Sequence, residues 1–247
     1  MTKGALTIAN SNMTKDHIIS EHGLDESHII VIPRGVDMAA FDPANIKVDD
    51  VARVRQSWGA VSGETILLLP GRLTQWKGQR VAINALAALP ENIRLIIMGD
   101  AQGRESYVSA LKTLIRTHGL EPRIHFAPHS ANMPLMIAAS DILLSTSTEP
   151  EAFGRVAIEA QAMGKPIIAT AHGGTLETVL PEQTGLWVKP NDERDLAKAI
   201  NQILKDGLFT SYDSSVARAH ILRNFSKRAL QEKTLAVYDR LLNEGTP

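Results

Sequence analysis

The sequence contains no cysteine. Disulfides, thiolate metal sites and a cysteine nucleophile are therefore excluded, and the absence fits a reducing compartment. No apolar run approaches the ~18 residues that a membrane-spanning helix needs. The opening stretch, Met1 to Asn10, lacks the long apolar core of a secretory signal. Neither sign of charge is in excess: the formal net charge is −1, so no overall field points to nucleic acid or to a membrane surface. Taken together, these absences read as a cytoplasmic protein that binds no nucleic acid. Three signatures of nucleotide and metal chemistry are missing as well. No Gly-x-Gly-x-x-Gly joins an early strand to a helix, the stretch Gly71 to Gly78 lacks P-loop spacing, and no His-Glu-x-x-His occurs. There is no internal repeat and no low-complexity tract.

What is present suits a globular chain. Its 247 residues predict one or two domains. Apolar residues at 44% and charged residues at 21% supply a sizeable core and an ordinary surface. Short apolar runs at Leu6–Ala9, Ile29–Ile32, Ile66–Leu69, Ile93–Met98, Ile124–Phe126, Ile142–Leu144, Ile167–Ala169 and Leu186–Val188 read as strands covered on both faces. Helical periods lie between several of them. Tyr107, Val108, Leu111, Leu114 and Ile115 share one helical face, as do Leu196, Ile200, Ile203 and Leu204. Leu230, Val237, Tyr238, Leu241 and Leu242 do so after a cap at Ser226. The alternation predicts an α/β fold with a doubly wound parallel sheet, whose ligands sit beyond the carboxyl ends of the strands. Residues 1–37 carry two strands and a helix, too little to bury a core alone, and read as the tail of another domain. Residues 38–50, rich in Pro, Asp and Asn, read as a linker. Residues 51–225 form the main domain, and residues 226–247 a last helix with no strand after it.

Two motifs carry chemistry. Pro70-Gly71-Arg72-Leu73-Thr74-Gln75-Trp76-Lys77-Gly78 follows the strand Ile66–Leu69 directly. Gly71 lets the backbone turn, and Arg72 and Lys77 place two cations at the strand's carboxyl end, suited to phosphate. Taken alone, a solvated basic loop would look the same. Glu149-Pro150-Glu151-Ala152-Phe153-Gly154-Arg155-Val156-Ala157-Ile158-Glu159-Ala160 follows the strand Ile142–Leu144 and a Ser/Thr turn. A helix beginning near Gly154 and stopped by Gly164 and Pro166 would offer free amides to an anion. Glu159 has apolar neighbours in that helix, and a buried carboxylate needs partners such as sugar or ribose hydroxyls. Complementing the helix dipole accounts for Glu149 and Glu151 but less well for Glu159.

Together the two motifs are far more specific than either alone. With Gly-Arg-x4-Lys-Gly and Glu-x7-Glu each following a strand of one parallel sheet, the sequence resembles the retaining GT-B glycosyltransferases of family 4. The resemblance runs from about Ser11 to the last helix. It includes Asn10-Ser11, Ile32-Pro33-Arg34-Gly35-Val36-Asp37, Met98-Gly99-Asp100, Ala139-Ser140-Asp141-Ile142, and Gly173-Gly174 followed by Glu177. It implies the Rossmann-like donor half of a GT-B fold. Arg72 and Lys77 match the pair that neutralises the departing diphosphate, and Glu159 matches the carboxylate on the ribose hydroxyls. Glu151 matches the one that holds the transferred sugar, so that Arg72, Lys77 and Glu151 are the candidate catalytic residues. Amides of Ala152, Phe153, Gly154 and Val156 match those on sugar hydroxyls and phosphate. The stretch Ala127–Asn132 matches the loop beside the nucleobase. Gly99, Pro128, His129 and Arg155 complete the candidate substrate-binding set, Arg155 standing where many relatives carry an aliphatic residue. No metal and no cofactor beyond the nucleotide-sugar co-substrate is expected.

The implied activity is transfer of a sugar, with retention, from a nucleotide diphosphate donor to a polysaccharide, lipopolysaccharide core or lipid-linked acceptor. The full enzyme is expected at the inner face of the plasma membrane, with peripheral membrane association. The acceptor-binding domain of such enzymes is represented here only by its last piece, so the chain is expected to be truncated and inactive on its own. A nucleotide-sugar-binding module is the alternative reading. Self-association through the leftover strand edges and the last helix is a further expectation. His125, His129 and His172 are ordinary loop histidines as readily as ligands, Arg104 is a surface residue before it is a base-stacking one, and Trp76 reads as packing.

Overall fold

The computed structural model describes residues 4–205 and 213–243. Eight parallel strands lie where the apolar runs predict them: β1 Thr7–Ala9, β2 Ile29–Val31, β3 Thr65–Pro70, β4 Ile93–Met98, β5 Ile124–Ala127, β6 Ile142–Ser145, β7 Ile167–Thr170 and β8 Gly185–Val188. The last six form one sheet in the order β5-β4-β3-β6-β7-β8, and β1 pairs with β2 apart from it. Continuous apolar strands are explained by burial on both faces. Along β3, Leu67 and Leu69 face a core shared with Leu111, Leu196 and Ile200. Ile66 and Leu68 face the opposite core, with Trp58, Ile137 and Met163.

Chain order reverses between β3 and β6, which opens a crevice at their carboxyl ends. Around the sheet lie α1 Asn12–His22, α2 Val48–Ser57, α3 Gln79–Leu86, α4 Glu105–Thr117, α5 Met133–Ala138, α6 Arg155–Ala162, α7 Thr175–Thr178, α8 Glu193–Lys205, α9 Ser214–Asn224 and α10 Lys227–Asn243. Two of the three helical faces read from the sequence are inward: Tyr107, Leu111 and Ile115 on α4 are buried, as are Leu196, Ile200 and Ile203 on α8. Among the described residues no helix is long and apolar enough to cross a membrane.

The boundary expected at 50/51 falls inside α2. The segment 38–50 already contains a 3-10 turn, Pro43–Asn45, and the first turn of α2, where Asp49 and Asp50 complement the helix dipole. The turn is capped by Asp42, whose side chain accepts from the Ala44 amide. Phe41 and Ile46 of the segment pack on the second core face beside Val51 and Val54 of α2, so the segment is anchored to the domain.

The tail and the last helix are tied to the main domain. Val36 pairs with Ser226, its amide donating to the Phe225 carbonyl at 2.8 Å while its carbonyl accepts from Lys227 at 2.8 Å. Gly35 is needed there, because a Cβ would stand 2.6 Å from the Ser226 carbonyl oxygen. α10 starts at Ser226, whose hydroxyl accepts from the Ala229 amide. It buries Val237 and leaves Leu235, Tyr238 and Leu242 exposed. Residues 1–3 of the expected tail and 244–247 of the expected last segment lie outside the described residues.

Candidate active site

The floor of the crevice is two glycines. β3 and β4 end in register at Pro70 and Met98, and Gly71 and Gly99 follow with φ of 153° and 150°. A Cβ on Gly99 would lie 2.0 Å from the Gly71 carbonyl oxygen. Only glycine permits this backbone contact, and it clears the space above both strands.

Arg72 leaves this floor exposed to the cleft, and the turn behind it is braced. Its carbonyl accepts from Gln79 Nε2 at 2.9 Å, and Gln79 Oε1 accepts from the Tyr107 hydroxyl at 3.0 Å. This brace is buried, and burial pushes the Tyr107 hydroxyl up to about 12. Lys77 ends a 3-10 turn, Gln75–Lys77, and Gly78 follows in the left-handed region. A Cβ on Gly78 would collide with the Thr146 carbonyl, so the two loops touch backbone to backbone. Thr146 donates to the Lys77 or Gly78 carbonyl, and the Thr148 amide donates to the Trp76 carbonyl at 2.7 Å. These links seat the basic loop after β3 against the acidic loop after β6.

Across that seam, Lys77 Nζ lies 2.7 Å from Glu151 Oε1, both side chains largely buried. Ser147 also donates to the same carboxylate oxygen. The Trp76 ring lies beside both cations, with Lys77 Nζ 4.4 Å and Arg72 Cζ 5.9 Å from its centroid. Trp76 thus also lines the cleft.

α6 starts after Gly154, which is left-handed (φ 80°, ψ 58°), and no side chain caps its first amides. Phe153 turns inward against Phe225, while Gly174 packs on its backbone and donates to the Glu151 carbonyl at 2.7 Å. Glu159 lies a turn inside α6, buried at 8% exposure. Burial pushes its carboxyl above the ordinary range, and the Arg155 guanidinium, 2.9 Å away, opposes that shift.

Two cavities join at this place. One, about 350 Å³, is lined by Met98, Gly99, Asp100, His129, Met133 and Glu159 among others. The other, about 780 Å³, is lined by Trp76, Lys77, Glu151, Ala152, Phe153 and Gly154, with Arg34 and Leu230 at its rim. Gly71, Arg72, Arg155 and Val156 line both. Of the loop 127–132 read from the sequence, only His129 lines a cavity, and Pro128, exposed after β5, lines neither. Arg104 borders neither and bonds back to the Ala101 and Gln102 carbonyls. His172 turns away from both, its Nε2 at 2.8 Å from the Ser147 carbonyl. Asn10, Arg34 and Leu230 were not read as lining residues. They come from the tail and the last helix, which no local spacing connects to the motifs. Among the described residues no cluster of three or more His, Asp or Glu is placed to hold a metal.

Residues 50–220, well over half of the chain, match the family described as glycosyl transferases group 1. A D-inositol 3-phosphate glycosyltransferase of Xylanimonas cellulosilytica is 32% identical over 203 residues, covering 81% of this chain and 48% of that protein. A glycosyltransferase of Rickettsia africae superimposes with a TM-score of 0.93 at 34% identity, over 99% of this chain and 65% of that one. Anabaena Alr3699/HepE, solved in complex with UDP and glucose, gives 0.90 at 32% identity, over 96% of this chain and 64% of that one. The chain spans about half the length of the curated relatives it matches.

Proposed function

The chain belongs to the glycosyl transferases group 1 family, and on that premise we propose that it forms the donor-binding wall of a retaining sugar transferase. One observation carries the reading: a cavity lined by the buried carboxylate of Glu159 shares Arg72 and Arg155 with a cavity lined by Lys77 and Glu151. A nucleoside diphosphate sugar has that order of parts. Its nucleoside takes the first cavity, with the base between Met98, Asp100 and His129 and the ribose hydroxyls donating to Glu159. Its diphosphate lies at the neck, against Arg72, Lys77 and the free amides of α6. Its sugar takes the second cavity, with hydroxyls on Glu151 and on the amides of Ala152 and Phe153. UDP and UDP-glucose bind to the Anabaena relative, which favours a donor of that type.

Transfer would proceed by front-face departure of the diphosphate. The positive groups at the neck stabilise charge as the bond from sugar to phosphate breaks, and the leaving phosphate takes the acceptor's proton. Glu151 is held by Lys77 and Ser147, so it positions the sugar and does not attack it. The cations and amides at the neck make a metal unnecessary. The acceptor is a glycan or glycolipid hydroxyl of cell-surface assembly, at the inner face of the plasma membrane.

Calorimetry with UDP, ADP and GDP, followed by a transfer assay on the same sample, tests the reading. Arg72→Ala and Lys77→Ala are each expected to lower turnover of the whole protein by about a hundredfold or more. Unchanged turnover in either variant overturns the phosphate assignment. Binding without transfer would mark this chain as a donor-holding module.

A further inference from the structure

The ion pair between Arg155 and Glu159 occupies the carboxylate that the proposed donor needs. Arg155 is the first residue of α6, and its side chain is 74% exposed. Its Nη2 donates to Glu159 Oε1 at 2.9 Å, one turn further on. The Glu159 side chain is only 11% exposed. A carboxylate this enclosed requires a partner, and removing the partner without a substitute leaves a buried charge unpaired. Arg155 also lines both cavities, at the neck where they meet. A ligand whose ribose reaches Glu159 therefore brings its phosphates past the Arg155 guanidinium.

Resting on the donor-site reading, we propose that Arg155 is a donor-triggered phosphate contact, paired with Glu159 and passed to the diphosphate when ribose hydroxyls take its place. The exchange conserves pairing. Two ribose O–H groups donate to Glu159 and replace the guanidinium's hydrogen bond. The guanidinium, on a flexible and exposed stem, turns to the phosphate oxygens, where a planar donor fork suits two acceptors at once. Arg72 is already at the neck, so Arg155 raises the local positive charge only after the nucleoside has seated. Recognition of the ribose and of the diphosphate becomes coupled through one side chain. A nucleoside alone would have to displace Arg155 with no anion to receive it, and pyrophosphate alone would have to draw it from Glu159 with no hydroxyl to replace it.

The test is a binding series on the chain itself. UDP, ADP and GDP are titrated by calorimetry, and the tightest is carried forward with its uncharged nucleoside, the latter measured by competition. Arg155→Leu is expected to weaken the nucleoside diphosphate about tenfold, the loss of one charge-assisted contact, and to make its affinity less sensitive to salt. The nucleoside should bind Arg155→Leu as tightly as wild type or more tightly, because Glu159 is already free. Arg155→Gln, which keeps polarity without charge, should behave in the same way and serves if the leucine variant misfolds. Equal weakening of nucleoside and diphosphate would show a merely structural role and overturn the proposal, as would no weakening of the diphosphate. If none of the three diphosphates binds wild type, the donor-site reading falls and this proposal with it. A wild type that binds while the variants show no split sinks the proposal alone.

Discussion

Glu159 is held against its own solvation. Burial raises its pKa, and Arg155 recovers only part of the loss. The folded state therefore keeps the Glu159 proton to a higher pH than the unfolded chain does. Above the ordinary glutamate value of about 4.3, the folded state binds more protons at this site. Its contribution to stability accordingly falls as pH rises through the folded pKa and stays low beyond it. Glu159→Gln removes that penalty. It is expected to raise the urea midpoint at pH 7–8 and to leave it nearly unchanged near pH 4, while weakening nucleoside diphosphate binding. Urea denaturation at the two pH values checks the first part, and a midpoint that drops at neutral pH would contradict it. The sequence marked Glu159 as a carboxylate among apolar neighbours, which is a local property. Its pairing with Arg155, and that of Lys77 with Glu151 across 74 residues, depends on rotamers and loop docking that residue types do not encode. The place of Trp76 is settled in the same way: its ring borders the cleft on a loop that Thr146 and Thr148 pin.

Among the elements, strands were the more legible. The central strands β3, β6 and β7 are buried almost throughout, so their apolar runs need no partner to be recognised, while Arg94 in β4, His125 in β5 and the exposed Trp187 in β8 interrupt the pattern toward the edges. Helices were legible where one face alone is buried, as on α4 and α8. α9 escaped because only Ala217 and Ile221 are buried on it. The start of α2 was hidden by Pro, Asp and Asn, which here build a capped turn ahead of the helix. α1 shows a different dependence. It buries no residue in its helical span, so packing does little to hold it. Its N-terminus instead meets the main domain through polar contacts. Glu177 accepts from the Asn12 and Met13 amides, and Ser11, fully buried, accepts from the Thr14 amide and donates to the Ala152 carbonyl at 2.5 Å. Ser11→Ala removes a helix cap and a link to the cleft together. It should cost about 1–2 kcal/mol and raise amide exchange across Asn12–His22 before the main sheet is affected. Exchange rates in α1 that match wild type would show that the contact does not hold the element.

At the scale of the molecule, the site is completed by segments distant in sequence. Arg34 from the tail and Leu230 from the last helix line the larger cavity with Lys77 and Glu151. One tie between them is a backbone crossing, where Gly35 and Val36 run beside Phe225, Ser226 and Lys227. Phe225 extends the crossing inward, packing edge-on against Phe153 in the loop that precedes α6. Tail, last helix and acidic loop are thus connected through one small cluster with Val36, Ile158 and Ile221. The approach is so close that a methyl group at residue 35 would stand 2.6 Å from a backbone oxygen and 2.8 Å from the Lys227 Cα. Neither neighbour is a side-chain tip that can swing aside, so the two segments must separate. Gly35→Ala is expected to destabilise the protein by about 1–3 kcal/mol. It should also weaken binding of a nucleoside diphosphate sugar more than binding of the nucleoside diphosphate, because Gly35 lines the larger cavity, proposed for the sugar, and not the smaller one, proposed for the nucleoside. Denaturant unfolding gives the first quantity, and calorimetry with UDP and UDP-glucose gives the second. An alanine variant that loses affinity for both ligands equally would mean that the crossing supports the whole domain and does not shape the sugar end of the cleft.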